Sequence, residues 1–232
     1  MEIVIFSGAG ISAESGIETF RDSGGLWERY KVDEVATPEA FEKTPKLVLD
    51  FYNERRRQIK KVLPNEAHLQ IPRLSKIGNV TVITQNIDNL HERAGSKNVI
   101  HLHGCITQAK SSLTDNYIEE IGFKDIKVGD IAKDGSQLRP HIVWFGEHVP
   151  MFEVALEVVK KADIMITVGS SLNVYPAASL VFETDAKCKH FVIDPNVQEL
   201  GLPENFTLIR EKASIGMSRL VQNLNNDSKL TL

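Results

Sequence analysis

Three clusters of residues carry types and spacings suited to chemistry. Ser7-Gly8-Ala9-Gly10-Ile11-Ser12-Ala13-Glu14-Ser15-Gly16-Ile17 follows a short apolar run as a glycine turn opening a helix. Glycines in such a turn let backbone N–H groups approach a pyrophosphate, and a helix N-terminus adds partial positive charge. Gly8-x-Gly10 with a later Gly16 departs from G-x-G-x-x-G, so spacing alone serves a dinucleotide loop or an ordinary strand-to-helix turn equally. Glu18-Thr19-Phe20-Arg21-Asp22 puts an aromatic ring and a guanidinium close behind it. The second cluster is Gln85-Asn86-Ile87-Asp88-Asn89-Leu90-His91. There, amide and carboxylate together can match a ligand carboxamide, or instead form an Asx turn and a helix cap. In the third, Val99-Ile100-His101-Leu102-His103-Gly104, a period of two puts both histidines on one strand face, as a core pair, a metal pair or a catalytic group.

The elements that must position these clusters read as an α/β chain. Strand-type runs recur at Ile3–Phe6, Val80–Thr84, Val99–Leu102, Ile142–Phe145, Ile164–Val168 and Phe191–Ile193, several separated by helical patterns, which predicts a largely parallel, Rossmann-like sheet covered on both faces. The second cluster then falls in a loop after a strand end, where open parallel sheets line their ligand crevice. Thr37-Pro38 and Thr44-Pro45 each set a capping residue before a proline, predicting two helix starts, the second helix running to about Lys61. Another helix is expected from Glu66 to Ile77, ended by Gly78, and a last one from Met217 to Leu224 before a frayed polar tail. Turn residues scattered between Gly104 and Arg139 predict a small β-rich insertion. Arg55-Arg56-Arg57 with Lys60-Lys61 reads as a solvated helix face, not a nucleic-acid patch.

Composition narrows the class. At 232 residues the chain is about one and a half domains, and 42% hydrophobic with 25% charged residues fits an ordinary globular core. A net charge of −4 gives no global pull toward nucleic acid or anionic membrane, so an anionic ligand needs local groups. Two cysteines, Cys105 and Cys188, cannot build a disulfide framework and fit a reducing compartment. Met1 to Phe6 reads as a first strand, with no basic n-region or cleavage site, and no run is long enough to span a membrane, so a cytoplasmic protein is expected.

Taken in order, Gly8-Ala9-Gly10-Ile11-Ser12, Phe20-Arg21, Gln85-Asn86-Ile87-Asp88 and His103-Gly104 resemble the sirtuin family, and the chain looks most like its bacterial CobB type. Arg139-Pro140-His141-Ile142-Val143-Trp144-Phe145-Gly146-Glu147, Val168-Gly169-Ser170-Ser171-Leu172 and Tyr175-Pro176-Ala177-Ala178 extend the resemblance over nearly the whole chain. It implies an NAD-dependent protein-lysine deacylase yielding nicotinamide, 2′-O-acyl-ADP-ribose and free lysine. It implies one catalytic domain over 1–232, with a Rossmann-like core near 1–21, 78–104 and 142–232 and small-domain insertions near 22–77 and 105–141. By position, the resemblance assigns phosphate and ribose contacts to Gly8, Ala9, Gly10, Ile11, Ser12, Glu14, Ser15, Gly16 and Ile17. Phe20 and Arg21 would close over the nicotinamide ribose, Trp27 would also bind the cofactor, and Gln85, Asn86, Ile87 and Asp88 would form the nicotinamide pocket. Gly169, Ser170, Ser171, Asp194, Pro195, Asn196 and Ala213 would meet the adenosine half. His103 would be the base that deprotonates a ribose hydroxyl, with Asn86 and Asp88 also catalytic. His101, where the family usually has an acidic residue, receives no role. Val143, Phe145 and Gly146 match the edge that pairs with the substrate peptide. Tyr52 and Arg55, at i and i+3, resemble the signature of sirtuins that accept succinyl- and malonyl-lysine, where phenol and guanidinium bind the acyl carboxylate.

The chain departs from the family at the zinc. Sirtuins usually hold one with two cysteine pairs just after the catalytic histidine, whereas Gly104–Arg139 here contains only Cys105. A structural zinc contributes roughly 10–16 kcal/mol in peptide modules, so packing must replace it. Ile106, Leu113, Tyr117, Ile118, Ile121, Phe123, Ile126, Val128, Ile131 and Leu138 are expected to supply that core, around no metal. The partners expected are acylated lysines of cellular proteins, with no nucleic acid or membrane, and a monomeric state. ADP-ribosyl transfer, NAD hydrolysis and a noncatalytic NAD sensor are the alternative outputs.

Overall fold

A computed structural model describes residues 1–19, 30–197 and 201–230. Nine strands form two sheets: β1 (Glu2–Ser7), β2 (Asn79–Thr84), β3 (Val99–His101), β4 (Gly104–Ser111), β5 (Ile118–Glu120), β6 (Leu138–Ile142), β7 (Ile164–Val168), β8 (Lys189–Ile193) and β9 (Phe206–Ile209). Six of them make a parallel sheet in the order β3-β2-β1-β7-β8-β9. The chain leaves β1 toward β2 and β3 on one side, then returns to β7 and moves to β8 and β9 on the other. The reversal therefore falls between β1 and β7, and a doubly wound sheet opens its crevice at the C-terminal ends of that pair.

Alternation along β1 explains the two covered faces. Val4 and Phe6 point into a core with Met165, Val192 and helix α7 (Phe152–Val159). Ile3 and Ile5 point the other way, with Ile166 and Val168, into a core completed by Ala67, Leu74 and Met217. The helices before α7 are α1 (Gly10–Ala13), α2 (Val32–Val35), α3 (Pro38–Lys43), α4 (Pro45–Lys61), α5 (Glu66–Gln70) and α6 (Leu90–Arg93), and α8 (Ala213–Leu230) follows it. Among the described residues no helix is long and apolar enough to cross a membrane.

Both proline-opened helices form where expected, and the Thr37 hydroxyl accepts the Ala40 N–H at 3.1 Å as a true cap. Five expectations are corrected. The Glu66–Ile77 helix is α-helical only to Gln70 and continues as a 3₁₀ helix over Ile71–Lys76, because Pro72 lacks the N–H an α-turn needs. The last helix continues past Asn225 to Leu230. Ile142–Phe145 adds no strand to the main sheet; instead β6 ends at Ile142 and pairs antiparallel with β4, which also pairs with β5. Strand β9, a four-residue run with two exposed positions, Thr207 and Leu208, was missed.

The fourth correction concerns how the small sheet is held. Arg55 and Arg56 are not a solvated face: Arg56 is fully buried and Arg55 is 8% exposed. They lie on the stripe of α4 that carries Val48, Phe51, Tyr52 and Ile59 inward. Arg56 Nε donates to the Ile106 carbonyl at 2.8 Å and Nη1 to Asn53 Oδ1 at 2.7 Å. Asn53 in turn donates to the Ile126 carbonyl and accepts the Ile126 N–H, at 2.8 and 2.9 Å. One helix thus grips the β-module at its first strand and at the connection between β5 and β6 with side-chain hydrogen bonds. Burial lowers the Arg56 pKa to about 10, partly offset by Asp125, which leaves it charged at neutral pH.

The apolar core of the module is smaller than expected. Ile126 and Leu138 are buried with Ala109, Ala132 and Leu49 of α4, whereas Leu113, Ile118, Val128 and Ile131 are exposed. Ile106 is buried in the helical insertion's core, and Tyr117, Ile121 and Phe123 only border the packed clusters. Among the described residues no group of three or more His, Cys, Asp or Glu side chains converges to hold a metal. Cys105 Sγ lies 3.3 Å from Thr107 Oγ1, and His141 Nδ1 lies 2.9 Å from Gln108 Oε1, so neither faces the other as a ligand pair. Arg56→Met, which leaves the Ile106 carbonyl and Asn53 without their donor, is expected to cost about 2 kcal/mol, a Tm fall of roughly 5 °C. EDTA should leave the wild-type Tm unchanged, and a chelator-induced fall matching that of Arg56→Met would contradict this.

Candidate functional site

At the C-terminal ends of β1 and β7 the two backbones nearly touch. Gly8 N donates to Val168 O at 3.2 Å and Gly10 N to Gly169 O at 2.8 Å. A Cβ on Gly169 would lie 2.2 Å from Ile11 N, and its φ of +61° independently favours glycine. A Cβ on Gly8 or Gly10 would fall 2.8 Å from Gly169 atoms. The result is a tight glycine cradle beside the start of α1, in which the N–H groups of Gly8, Gly10, Ile11 and Ser12 are bonded within the protein. Ser170 is buried beside it, its hydroxyl accepting the Leu172 N–H at 3.2 Å.

The loop after β2 packs against that cradle through a chain of side-chain bonds. Asn86 Nδ2 donates to Gly8 O at 3.1 Å and to Ser12 Oγ at 3.2 Å, and Ser12 Oγ donates to Asp88 Oδ2 at 2.9 Å. The other Asp88 oxygen accepts the Leu90 N–H at 3.0 Å, so the cap reading and the pocket reading each describe one oxygen. Burial raises the Asp88 pKa, opposed by the Leu90 N–H, the Ser12 hydroxyl and the charges of His101 and Arg55. Gln85 Nε2 is buried without a partner, which marks it as a donor a ligand can satisfy. Beneath the loop, Ser7 Oγ donates to Thr84 Oγ1 and meets His91 Nε2, both at 2.8 Å. Sequence reasoning missed this support, although Ser7 and Thr84 both end strands that it identified.

His103 lies in the turn just past β3, with Nδ1 3.0 Å from the Gln85 carbonyl oxygen. Because a carbonyl only accepts, Nδ1 carries the proton and Nε2 keeps its lone pair. Burial lowers the pKa below the ordinary 6.5, against the opposing pull of the Gln85 carbonyl, so the ring is neutral at physiological pH. The His103 carbonyl accepts the Val143 N–H at 3.0 Å, and Phe145 N donates to Ala36 O at 3.0 Å. Trp144 N donates to Glu147 Oε2 at 2.7 Å, and Glu147 grips Arg139 at 2.7 and 3.0 Å beneath the Trp144 ring. That bidentate pair anchors the segment 143–146 and was not foreseen.

Tyr52 and Arg55 face inward together beside this segment. The Tyr52 ring is 6.4 Å from Trp144, and burial raises its pKa, so the phenol is a donor. Arg55 Nη2 donates to Glu18 O at 2.8 Å, while Nη1 is buried without a partner. Burial lowers the Arg55 pKa, and Asp88 opposes that shift, so the two site clusters feel each other electrostatically.

The more distant assignments reach the same edge of the sheet. Asp194 Oδ1 accepts the Asn196 N–H at 2.8 Å in an Asx turn after β8. Ala213 begins α8, and Ser214 N and Oγ both donate to Glu14, at 2.9 and 2.7 Å. Phe20, Arg21 and Trp27 lie outside the described residues.

A doubly wound sheet with a glycine cradle at its switch point and a polar loop beside it defines a dinucleotide-binding α/β protein. The Sir2 family model matches residues 8–176, and the chain belongs to that family. An NAD-dependent protein deacylase of Bacteroides thetaiotaomicron is 49% identical over 225 residues, covering 95% of this chain and 96% of its own. One from Helicobacter pylori is 50% identical over 222 residues, covering 96% of each chain. Among solved structures, a Sir2 homologue mutant in complex with ADP-ribose superposes with a TM-score of 0.89 at 38% identity, covering all of this chain and 94% of its own. A Sir2 homologue in complex with NAD gives 0.87 at 39%, covering 97% and 90%. Gly169→Ala is expected to weaken ADP-ribose binding at least about 100-fold in calorimetry, through clash and strain together. Unchanged affinity would mean the cradle is not the phosphate site.

Proposed function

We propose that this chain is an NAD-dependent protein-lysine deacylase that removes acetyl and, through Tyr52 and Arg55, succinyl and malonyl groups. The observation that carries the reading is the neutral His103, its Nδ1 proton spent on the Gln85 carbonyl and its Nε2 lone pair left as a base, beside the glycine cradle. The cradle of Gly8, Gly10 and Gly169 and the unpartnered Gln85 Nε2 fit NAD, which would supply the electrophilic ribose carbon. Gly8 to Ile17 with Gly169, Ser170 and Ser171 would bind phosphates and riboses, Asp194 to Asn196 and Ala213 the adenosine, and Phe20 and Arg21 the nicotinamide ribose, with Trp27 also on the cofactor. Gln85, Asn86, Ile87 and Asp88 would orient the carboxamide in a pocket whose buried walls exclude water. His103 Nε2 would take the proton from a ribose hydroxyl.

The acyl-lysine peptide would lie along Val143, Phe145 and Gly146. The N–H groups of residues 143–145 are already committed within the protein, so an added strand would pair chiefly with carbonyls. At the acyl end, the Tyr52 hydroxyl and Arg55 Nη1 are two buried donors suited to a carboxylate. The remaining parts of the reading are a single catalytic domain, a cytoplasmic setting, a monomeric state, a metal-free module, and acylated proteins as partners, without nucleic acid or membrane.

Two kinetic results test this. Arg55→Met should lower kcat/KM for a succinylated peptide by about 100-fold or more while changing that for the acetylated peptide only severalfold; equal losses would refute the carboxylate pocket. With the base depressed by burial, activity should hold as pH falls to 6.5 and drop only below it. His103→Ala should remove the activity, and an acid limb centred above 6.5 would argue against His103 as the base.

A further inference from the structure

His101 ends β3 two residues before His103, and nothing in the reaction above uses it. Its ring is held at both nitrogens. Nδ1 lies 3.0 Å from the Asn86 carbonyl oxygen and Nε2 lies 2.7 Å from Glu92 Oε1 of α6. A carbonyl oxygen and an ionised carboxylate only accept, so both nitrogens must donate, and only the imidazolium has two N–H donors. A neutral ring would turn a lone pair toward one of the two oxygens. The side chain is 13% exposed, which shields the pair from solvent.

The surroundings agree with a charged ring. Burial by itself lowers the His101 pKa, but the Glu92 carboxylate, the Asn86 carbonyl and Asp88 outweigh it and raise the pKa above the ordinary value. The other titratable groups that feel this charge are His91 on α6 and His141 on β6, and burial lowers both. The two histidines of the His-x-His segment therefore divide their labour: His103 is neutral on the Gln85 carbonyl, and His101 is charged on the next carbonyl along.

We propose that His101, held as an imidazolium between Glu92 and the Asn86 carbonyl, is a positioning residue that sets the backbone of the loop expected to grip the carboxamide of NAD. The Asn86 side chain is anchored by Gly8 and Ser12 and its N–H by Thr84 Oγ1 at 3.0 Å, so its backbone carbonyl is the handle on the next peptide unit, toward Ile87 and Asp88. Pinning consecutive carbonyls fixes two successive peptide planes, the 85–86 plane through His103 and the 86–87 plane through His101, so the backbone that carries Asn86 and leads to Asp88 cannot rotate. As pH rises through the raised pKa the ring keeps one proton, which the Glu92 carboxylate holds at Nε2, so Nδ1 turns a lone pair toward the Asn86 carbonyl and the loop is released. NAD affinity should accordingly fall on the alkaline side. Glu92→Gln removes the charge but not the geometry: the amide N–H donates to a neutral Nε2 while Nδ1–H stays on Asn86.

The inference rests on the deacylase reading for the ligand's identity, but its tests need no turnover. An NMR titration of the wild-type imidazoles, assigned with His101→Gln, should show His101 titrating above 6.5 and falling below it in Glu92→Gln. Calorimetry should give His101→Leu an NAD Kd raised about tenfold, with His101→Gln partly rescued through its amide N–H. Acyl-peptide binding should change less than about twofold, since the peptide edge is elsewhere. Glu92→Gln should bind NAD within about threefold of wild type at neutral pH and lose the alkaline weakening. The proposal is overturned if His101 titrates at or below 6.5, if His101→Leu binds NAD as the wild type does, or if Glu92→Gln loses as much as His101→Leu. Should His101→Leu not fold, the titration, His101→Gln and Glu92→Gln decide between the same outcomes. A protein that binds NAD in this way yet transfers no acyl group would refute the deacylase reading and leave the inference standing.

Discussion

The structure depends on the contact between the glycine loop after β1 and the turn after β7. These two strands meet at the reversal of a parallel sheet, and the hydrogen bonds Gly8 N to Val168 O and Gly10 N to Gly169 O close the distance between them. No side chain fits there, because a Cβ on any of Gly8, Gly10 or Gly169 meets backbone within 2.8 Å. Everything else is referenced to this floor. The Gly8 carbonyl receives Asn86, Ser12 at the start of α1 receives both Asn86 and Asp88, and Glu14 at its end receives α8. All three attachments sit on the glycine loop and α1, so the contact with the β7 turn that fixes this loop fixes their common base.

The second mechanical fact is the polar stripe of α4. A β-module without converging thiolates has little apolar surface of its own, as Leu113, Val128 and Ile131 in solvent show. Asn53 and Arg56 compensate by hydrogen bonding directly to its backbone at Ile106 and Ile126. Arg55 and Tyr52 sit on the same stripe, facing the site instead of the module. The helix that stabilises the module is therefore also the helix that would read the acyl group, and its axial position is constrained from both sides. An apolar-only interface would let α4 slide; directional bonds to two backbone segments do not.

Much of this was legible in the sequence, and the failures have physical causes. Five strands of the six-stranded core were visible because buried parallel strands are continuous apolar runs, as in Ile164–Val168. Helices α3 and α4 were visible through Thr-Pro pairs, which act within one turn. The site clusters were recognisable as an ordered set, while their individual spacings remained ambiguous. Arg56 misled because charge argues for solvent, and only the register of Val48, Tyr52 and Ile59 places it inside; the bonds that make its burial tolerable go to the Ile106 carbonyl, 50 positions away, and to Asn53, itself fixed by Ile126. Strand β6 was misassigned because antiparallel pairing with β4 is nonlocal, and β9 because half of it faces water. His101 received no role because its meaning lies in two acceptors on other elements.

The central claim is that one site binds NAD and an acylated lysine together and moves the acyl group onto the ADP-ribose. The most direct measurement is a single-turnover reaction of excess wild-type protein with NAD and a succinyl-lysine peptide, its products resolved by mass spectrometry. The account predicts equimolar nicotinamide, deacylated peptide and succinyl-ADP-ribose. Nicotinamide released with free ADP-ribose and an intact succinyl peptide, or free succinate with NAD unconsumed, would contradict it.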